Sequence, residues 1–215
     1  MLETAIVAFT TFFATVGPID VAAVFAALTP AAPRQLRRAM AIRGTLISAG
    51  ILLAFALMGR ALLHSLGISL AALKVAGGIL LLLIGIDLVF ARSSGGTSTT
   101  SEEATEAASR RDISVFPLAT PLIAGPGSMG AAVLLMANAE GDIAAQAAVL
   151  GALLAVLLLT LALLLLANQV HRFFGVTGML VVSRVFGVLL TALAVQFMFD
   201  GIAQSGLVQA PLPRP

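Results

Sequence analysis

The chain alternates between long apolar stretches and short polar connections, a pattern that predicts an all-helical membrane protein. A stretch of about 20 predominantly apolar residues is long enough to cross a bilayer as a helix. Such stretches lie at 4–28, 44–64, 68–91, 113–137, 143–168 and 179–203. We therefore predict six transmembrane segments, numbered one to six in chain order.

Two of the six segments contain helix-breaking residues. Gly17-Pro18 interrupts segment one and Gly125-Pro126 interrupts segment four, and helical sequence rich in small residues follows each pair. Glycine accommodates non-helical backbone, and proline suits the first position of a new helix. Matched interruptions in two halves of a membrane protein are typical of transporters.

The spacing of these features predicts an internal repeat. The two Gly-Pro pairs are 108 residues apart, and Lys74 to Gly77 matches Arg184 to Gly187 at a spacing of 110. Because each half holds three segments, the second half must enter the membrane with opposite polarity. The predicted fold is therefore two inverted three-helix repeats, with segments one and four broken at Gly-Pro.

The polar stretches set the predicted boundaries. The first three-span repeat covers 1–92 and the second covers 113–204. Residues 93–112 are rich in Ser, Thr, Gly, Glu and Ala without an apolar period, which predicts a flexible cytoplasmic loop. The tail at 205–215 is predicted to be disordered, since its last residues are rich in proline.

Composition agrees with a membrane protein and excludes several other classes. The 215 residues are 60% hydrophobic and 10% charged, with a mean hydropathy of +1.08, too apolar for a soluble domain of this size. The chain has no cysteine, which excludes disulfides and thiolate metal sites. Its two histidines, His64 and His171, are far apart in the sequence, and its arginines are scattered. We therefore expect no metal, no cofactor and no nucleic-acid partner.

The distribution of basic residues predicts the orientation of the chain. Those on one side are Arg34, Arg37, Arg38, Arg43, Arg92, Arg110, Arg111 and Arg172, against Arg60 and Arg214 on the other. Basic residues are enriched in cytoplasmic loops of membrane proteins. We predict that the first side is cytoplasmic and that both termini lie outside.

The two breaks together predict an anion site. A half-helix that starts inside the membrane presents backbone N–H groups and the positive end of its dipole, which suits a carboxylate. The candidate substrate-binding residues are Gly17, Pro18, Ile19, Asp20, Thr120, Gly125, Pro126, Gly127 and Ser128, with Thr15 as a further hydroxyl. The alternative is that the prolines only kink packed helices.

Three ionisable residues are candidates for further roles. Asp20 lies in the first turn after Gly17-Pro18, where it could hold a substrate ammonium or a coupling proton or cation. The alternative is a carboxylate stabilised only by its own helix N-terminus. Lys74 and Arg184 occupy repeat-equivalent positions on stripes of small residues, so each is predicted to face a neighbouring helix and to form a gate or an ion pair. Snorkelling to the nearer interface is the alternative.

The sequence also resembles a known family, the MarC-type membrane proteins, which are described as small neutral amino acid transporters. The motifs that carry the resemblance are Gly67-Ile68-Ser69, Val75-Ala76-Gly77-Gly78, Pro117-Leu118-Ala119-Thr120-Pro121, Ala124-Gly125-Pro126-Gly127, Ser183-Arg184 with Gly187, Val195-Gln196-Phe197 and Gly201-Ile202. The resemblance implies six spans, a bacterial or archaeal inner membrane, and transport of glycine and alanine. Family members commonly have Asn-Pro in place of Gly17-Pro18, and Gly or Thr in place of Asp20. The exact substrate and the coupling ion therefore stay open.

The favoured function is a secondary transporter of small neutral amino acids that works by alternating access. Its expected partners are an amino acid substrate, a coupling proton or sodium ion, and membrane lipid, and a homo-oligomer is an open alternative. Small residues after the breaks, Ala22, Ala23, Gly130 and Ala131, would suit a small side chain. The competing functions are export of another small solute and a non-transporting membrane scaffold. An enzyme is not expected, because no segment offers paired carboxylates or a nucleophile with its base.

Overall fold

The computed structural model describes residues 2–29, 32–90 and 112–206 of the chain. Within these ranges, the side chains of residues 27, 60, 167–179, 182 and 183 are not described. The predicted loop at 93–112, apart from Asp112, lies outside the described residues. So does the predicted tail beyond Gly206, together with several of the arginines that set the predicted orientation.

The described residues form eight helical segments and no strand. They are α1 (Leu2–Val16), α2 (Pro18–Leu28), α3 (Arg34–Ser65), α4 (Leu70–Phe90), the π-helical α5 (Ser114–Ile123), α6 (Pro126–Asn138), α7 (Ile143–Leu165) and α8 (Ala167–Gln204). Five spans, Leu2–Ala26, Arg34–Gly59, Leu70–Phe90, Ile143–Leu165 and Arg184–Gln204, are long and apolar enough to cross a membrane. The pair α5–α6, bent by 54°, supplies a sixth if it counts as one span. An all-helical protein with several membrane spans is confirmed.

Two helices extend beyond the predicted segments. Helix α3 starts at Arg34 instead of residue 44, so the basic cluster from Arg34 to Arg43 is helical. Pro33 precedes this helix and no proline follows it before Ser65, so the cluster contains no residue that would exclude a helix. Helix α8 likewise runs through 38 residues from Ala167, where the sixth segment was predicted to start at 179.

Helix α5 is irregular because of its two prolines. Phe116 (φ −130°, ψ 127°) and Thr120 (φ −135°, ψ 122°) have extended backbone, and each directly precedes a proline. Proline disfavours helical backbone at the residue before it. The hydroxyl of Ser48 on α3 donates to the carbonyl oxygen of Ala119 at 3.3 Å, so a neighbouring helix partly satisfies this irregular backbone.

Helices α4 and α8 lie backbone against backbone and antiparallel. A Cβ added at Gly78 would lie 2.7 Å from the carbonyl oxygen of Ala194, and one added at Gly187 would lie 2.9 Å from that of Gly85. At the other end of the pair, a Cβ at Gly201 would lie 2.8 Å from the carbonyl oxygen of Ala71. Small residues at such a contact let helices approach closely and gain van der Waals attraction. This contact is the most extensive between any two helices in the described part.

The remaining helices cross between the two halves of the chain. Helices α1 and α2 both pack against α7, and α5 and α6 both pack against α3. The largest fully buried side chains come from both halves and include Phe12, Phe25, Leu52, Leu118, Leu134 and Leu153. One hydrophobic core therefore joins the two halves.

A polar contact joins the N-terminal third of α3 to the residues at the start of α5. Arg43 Nη1 lies 3.5 Å from Asp112 Oδ2, and the backbone N–H of Ser114 donates to Asp112 Oδ1 at 2.9 Å. The hydrogen bond from the Ser114 backbone, followed by that from its hydroxyl and by the charge of Arg43, lowers the pKa of the Asp112 carboxyl below its ordinary value. The N-terminal third of α3 and the start of α5 therefore lie close together.

The lowered pKa predicts a pH-dependent stabilisation by Asp112. A carboxyl whose pKa is depressed by folding stabilises the fold above its unfolded pKa of about 3.9, and the effect is lost as the pH falls through the folded pKa. Asp112→Asn should therefore destabilise the protein at pH 7 by at most about 1 kcal/mol, because the ion pair is exposed. The difference from wild type should shrink below about pH 4. Thermal unfolding in detergent at pH 7 and pH 3 measures the difference in stability between Asp112→Asn and wild type. The control variant is Glu3→Gln, at an exposed position. A difference that does not change with pH would contradict this role.

Candidate functional site

The first break is a single residue with left-handed backbone. Gly17 has φ 59° and ψ 57° and lies between the last residue of α1 and Pro18, the first of α2. Its N–H donates to the carbonyl oxygen of Phe13 at 3.0 Å, and its own carbonyl oxygen accepts from the Val21 N–H at 2.9 Å. Only glycine adopts such a φ without strain. The break therefore interrupts the helix for one residue, and α1 and α2 remain parts of one span.

Asp20 folds back towards this break and lines a small cavity. Its Oδ2 would lie 3.4 Å from a Cβ added at Gly17, a distance of ordinary van der Waals contact, so the carboxylate lies directly beside the break. The cavity has a volume of about 10 Å³ and is lined by Phe13, Ala14, Gly17, Ile19, Asp20, Leu88 and Phe186. That volume admits about one water molecule. In this conformation the space beside Asp20 is too small for an amino acid.

An aromatic pair covers one side of this cavity. The ring centroids of Phe13 on α1 and Phe186 on α8 are 4.1 Å apart, and Phe9 stacks on Phe13 at 6.1 Å. Aromatic pairs at such distances stabilise a contact by about 0.5–1.5 kcal/mol beyond their buried area. The pair therefore holds α1 against α8 beside the first break.

The second break has a different geometry from the first. Gly125 is extended (φ −85°, ψ 172°) and Pro126 occupies the first turn of α6, which leaves α5 at an angle of 54°. Proline has no N–H, and the N–H of Met129 donates to the Gly125 carbonyl oxygen at 3.0 Å. The N–H groups of Gly127 and Ser128 are therefore the donors that this helix start offers to a ligand.

The hydroxyl of Ser128 is engaged with the broken backbone. It is fully buried and donates towards the carbonyl oxygens of Ile123 at 2.8 Å and Gly125 at 3.0 Å. The side chain satisfies carbonyl groups that the end of α5 leaves without a helical partner. The hydroxyl hydrogen of Ser128 is therefore used within the break, and only the lone pairs of its oxygen could accept a hydrogen bond from a ligand.

The predicted threonines differ in their surroundings. The hydroxyl of Thr15 donates to the carbonyl oxygen of Thr11 one turn earlier, at 2.8 Å, and its side chain is buried. Thr120 is half-buried and lies on the extended backbone of α5 before Pro121. Of the predicted small residues after the breaks, Ala22 and Ala131 are buried and Ala23 and Gly130 are half-buried.

Both breaks meet the same face of α4. A Cβ added at Gly127 would overlap Cδ1 of Ile84, and Leu88 lines the cavity beside Gly17 and Asp20. Ile84 and Leu88 are four residues apart, so they lie on one side of α4 about 6 Å apart along its axis. We call these two residues the α4 wall. One residue of this wall therefore contacts the start of α6, and the other lines the cavity beside the start of α2.

Lys74 and Arg184 lie at opposite ends of the α4–α8 pair. Lys74 is 3% exposed and packs beside Gly201, whereas Arg184 is exposed near the end where Gly187 meets Leu88. Because Lys74 lies opposite Gly201, the antiparallel register separates the two basic residues by about 25 Å along the axis. The exposure of Arg184 gives no support to its predicted contact with a neighbouring helix, and a gate or ion-pair role for either residue stays a prediction. In the part of the chain that the structure describes, neither forms a salt bridge.

The sequence did not single out the residues that connect the breaks. Ile84, Leu88, Phe13 and Phe186 are apolar residues in apolar segments, and by residue type they resemble those that face lipid. The spacing of Ile84 and Leu88 on one helical face, beside the glycines at 78 and 85, is the only signal that the sequence offers for them.

Comparisons with known proteins give one consistent result. A family model described as MarC family integral membrane protein matches residues 2–205. A UPF0056 membrane protein of Methanocaldococcus jannaschii is 40% identical over 201 residues, which cover 94% of this chain and 97% of the relative. The UPF0056 membrane protein YvbG of Bacillus subtilis is 34% identical over 194 residues, which cover 90% and 92%. No solved structure matches the chain.

Proposed function

The chain belongs to the MarC family of integral membrane proteins, and from that premise we propose that it is a secondary transporter of small neutral amino acids such as glycine and alanine. It acts without covalent chemistry, by alternating access. The observation that carries this proposal is that the α4 wall contacts the start of α6 at Gly127 and lines the cavity at the start of α2. Helix N-termini inside a membrane bundle suit an anionic group such as the substrate carboxylate.

The packing of the helices supports an inverted repeat as the basis of alternating access. In such a repeat α1–α2 corresponds to α5–α6, α3 to α7, and α4 to α8. The α1–α2 span packs against α7, and the α5–α6 span packs against α3. A symmetry operation that interchanges the two halves would convert one of these contacts into the other. The α4–α8 contact joins two corresponding helices and would lie on the pseudo-two-fold axis. A bundle of this kind can open to either side with similar packing.

Asp20 is the proposed site of ion coupling. Its carboxylate lies at the α2 helix start beside a cavity that admits one water molecule. Ionisable groups within membrane spans often mark the pathway of an ion or a substrate. Asp20 would bind a proton or a sodium ion while the neighbouring N–H groups bind the substrate.

Lys74 and Arg184 are proposed to act separately, since they lie at opposite ends of the α4–α8 pair. Lys74 would stabilise the bundle end where α8 finishes, and Arg184 would lie near the cytoplasmic interface. The protein would span the inner membrane with both termini outside, in agreement with the predicted excess of arginine on one side.

A counterflow assay tests the transport function. Proteoliposomes loaded with unlabelled glycine should take up labelled alanine well above protein-free vesicles, and a proton or sodium gradient should drive net accumulation. The double variant Gly125→Leu with Pro126→Leu should lose this uptake, because it removes the break that exposes the N–H groups of Gly127 and Ser128. If wild-type protein shows no uptake under any gradient, the proposal is wrong.

Competition in the same assay distinguishes the other functions. Efficient displacement of alanine by an unrelated small solute would favour an exporter of that solute. Unchanged behaviour of the double variant in every assay would favour a membrane scaffold, for which the two breaks have no role.

A further inference from the structure

We infer that the α4 wall, Ile84 and Leu88, limits the size of the side chain that the transporter accepts. This inference rests on the proposed function and names residues that determine its specificity. Neither residue belongs to a helix break, and both are apolar. Their role would be to exclude larger substrates by occupying the space next to the two helix starts.

Ile84 contacts the first turn of α6 at Gly127. Gly127 lies in the first turn of α6, and a Cβ there would overlap Cδ1 of Ile84. Ile84 is 6% exposed, and its side chain fills the space where a side chain at Gly127 would lie. A carboxylate bound at this helix start would bring the substrate Cα and its side chain towards Ile84.

Leu88 lies at the cavity beside the start of α2. Leu88 lines the cavity that also contains Gly17 and Asp20, and its volume of about 10 Å³ leaves room for little more than one water molecule. An amino acid can enter only if this cavity expands. Leu88 is the α4 residue in its lining, so the size of residue 88 contributes to the space that the expanded cavity offers.

Helix α4 cannot move away from the two helix starts without displacing α8. Gly85 lies between the two wall residues, and a Cβ there would be 3.0 Å from the carbonyl oxygen of Gly187. A Cβ at Gly187 would in turn lie 2.8 Å from the Cβ of Leu88. Because the α4 backbone already touches α8, the space on the α4 side of the cavity depends on the size of the wall side chains.

The test is substrate selectivity in the counterflow assay. Wild type, Ile84→Ala and Leu88→Ala are compared for uptake of glycine, alanine, valine and leucine. A methylene group in an apolar pocket changes discrimination by about 10- to 200-fold. We expect the uptake of valine or leucine relative to glycine to rise by at least about tenfold in one or both variants. Leu81→Ala is the control for loosened packing, because Leu81 is buried on α4 (1% exposed, against 6% for Ile84) and lies outside both the contact with Gly127 and the lining of the Asp20 cavity.

The outcomes separate this inference from the proposed function. If wild type transports glycine while the selectivity of both wall variants stays within about twofold of wild type, the wall does not set substrate size. An equal change in Leu81→Ala would also overturn it, since loosened packing would then be the cause. If Ile84→Ala fails to fold, Ile84→Val removes a single methylene and should still shift the alanine-to-glycine ratio. If wild type transports no amino acid, the proposed function fails first.

Discussion

Gly187→Leu is expected to leave no folded protein in the membrane, and Gly187→Ala to lower the thermal midpoint by about 2–10 °C. A Cβ at this position would lie 2.9 Å from both the Gly85 carbonyl oxygen and the Val89 nitrogen, which are backbone atoms that cannot rotate away. The two helices would have to separate. Their separation would remove the close contact that joins the two halves of the bundle.

Gly50 supplies the control for this prediction. It lies within α3, is exposed, and a Cβ there would meet no atom within 4 Å. Gly50→Ala should leave the midpoint unchanged or raise it, because alanine favours a helix by about 0.5–1 kcal/mol relative to glycine. Far-UV circular dichroism is the suitable measurement, since the chain has no Trp or Tyr for intrinsic fluorescence and no Cys for thiol dyes. Equal stability of Gly187→Ala and Gly50→Ala would contradict the close α4–α8 contact.

Asp20→Asn is expected to abolish gradient-driven accumulation while leaving the protein folded. Asparagine has nearly the same shape, so the packing against Gly17 should persist, but the amide does not titrate and binds a cation weakly. Coupling between two ligands typically amounts to about 5- to 150-fold in affinity, and the concentrative uptake should fall by a factor in that range. Counterflow, which needs no gradient, should fall less.

Asp87→Asn is the matched control for this second prediction. Asp87 is half-buried on α4, next to Leu88 in sequence, but does not line the cavity that contains Asp20. Uptake is measured with and without an imposed proton or sodium gradient for both variants. If Asp20→Asn concentrates substrate as well as wild type, Asp20 does not couple transport to an ion.

Much of the fold follows from the apolar pattern and the prolines. Length and hydropathy indicate the spans, and Pro117 and Pro121 explain why α5 has extended residues at Phe116 and Thr120. The helix boundaries were less predictable. A helix can continue into polar sequence when nothing in it breaks the backbone, as α3 does through its basic first turns.

The candidate site was only partly predictable. Gly-Pro pairs are visible in the sequence, but two pairs of the same composition adopt different geometries, a left-handed single residue at Gly17 and a bend of 54° at the second break. Ser128 shows the same limit, because its hydroxyl serves the backbone of the break. The role of Ile84 depends on long-range packing of α4 against α6, which local sequence does not encode.

Helices α1 and α2 pack against α7, and α5 and α6 pack against α3. During synthesis, the first spans can therefore complete their contacts only after the later spans have been made. The N-terminal spans leave the ribosome well before α7 is synthesised. The faces of α1 and α2 that α7 later covers are therefore first exposed to lipid. The hydroxyls of Thr11 and Thr15 do not depend on the later spans. Each donates a hydrogen bond at 2.8 Å to a backbone carbonyl oxygen in the preceding turn of its own helix. Insertion of the first half can thus precede assembly, and the bundle closes only when the last spans arrive.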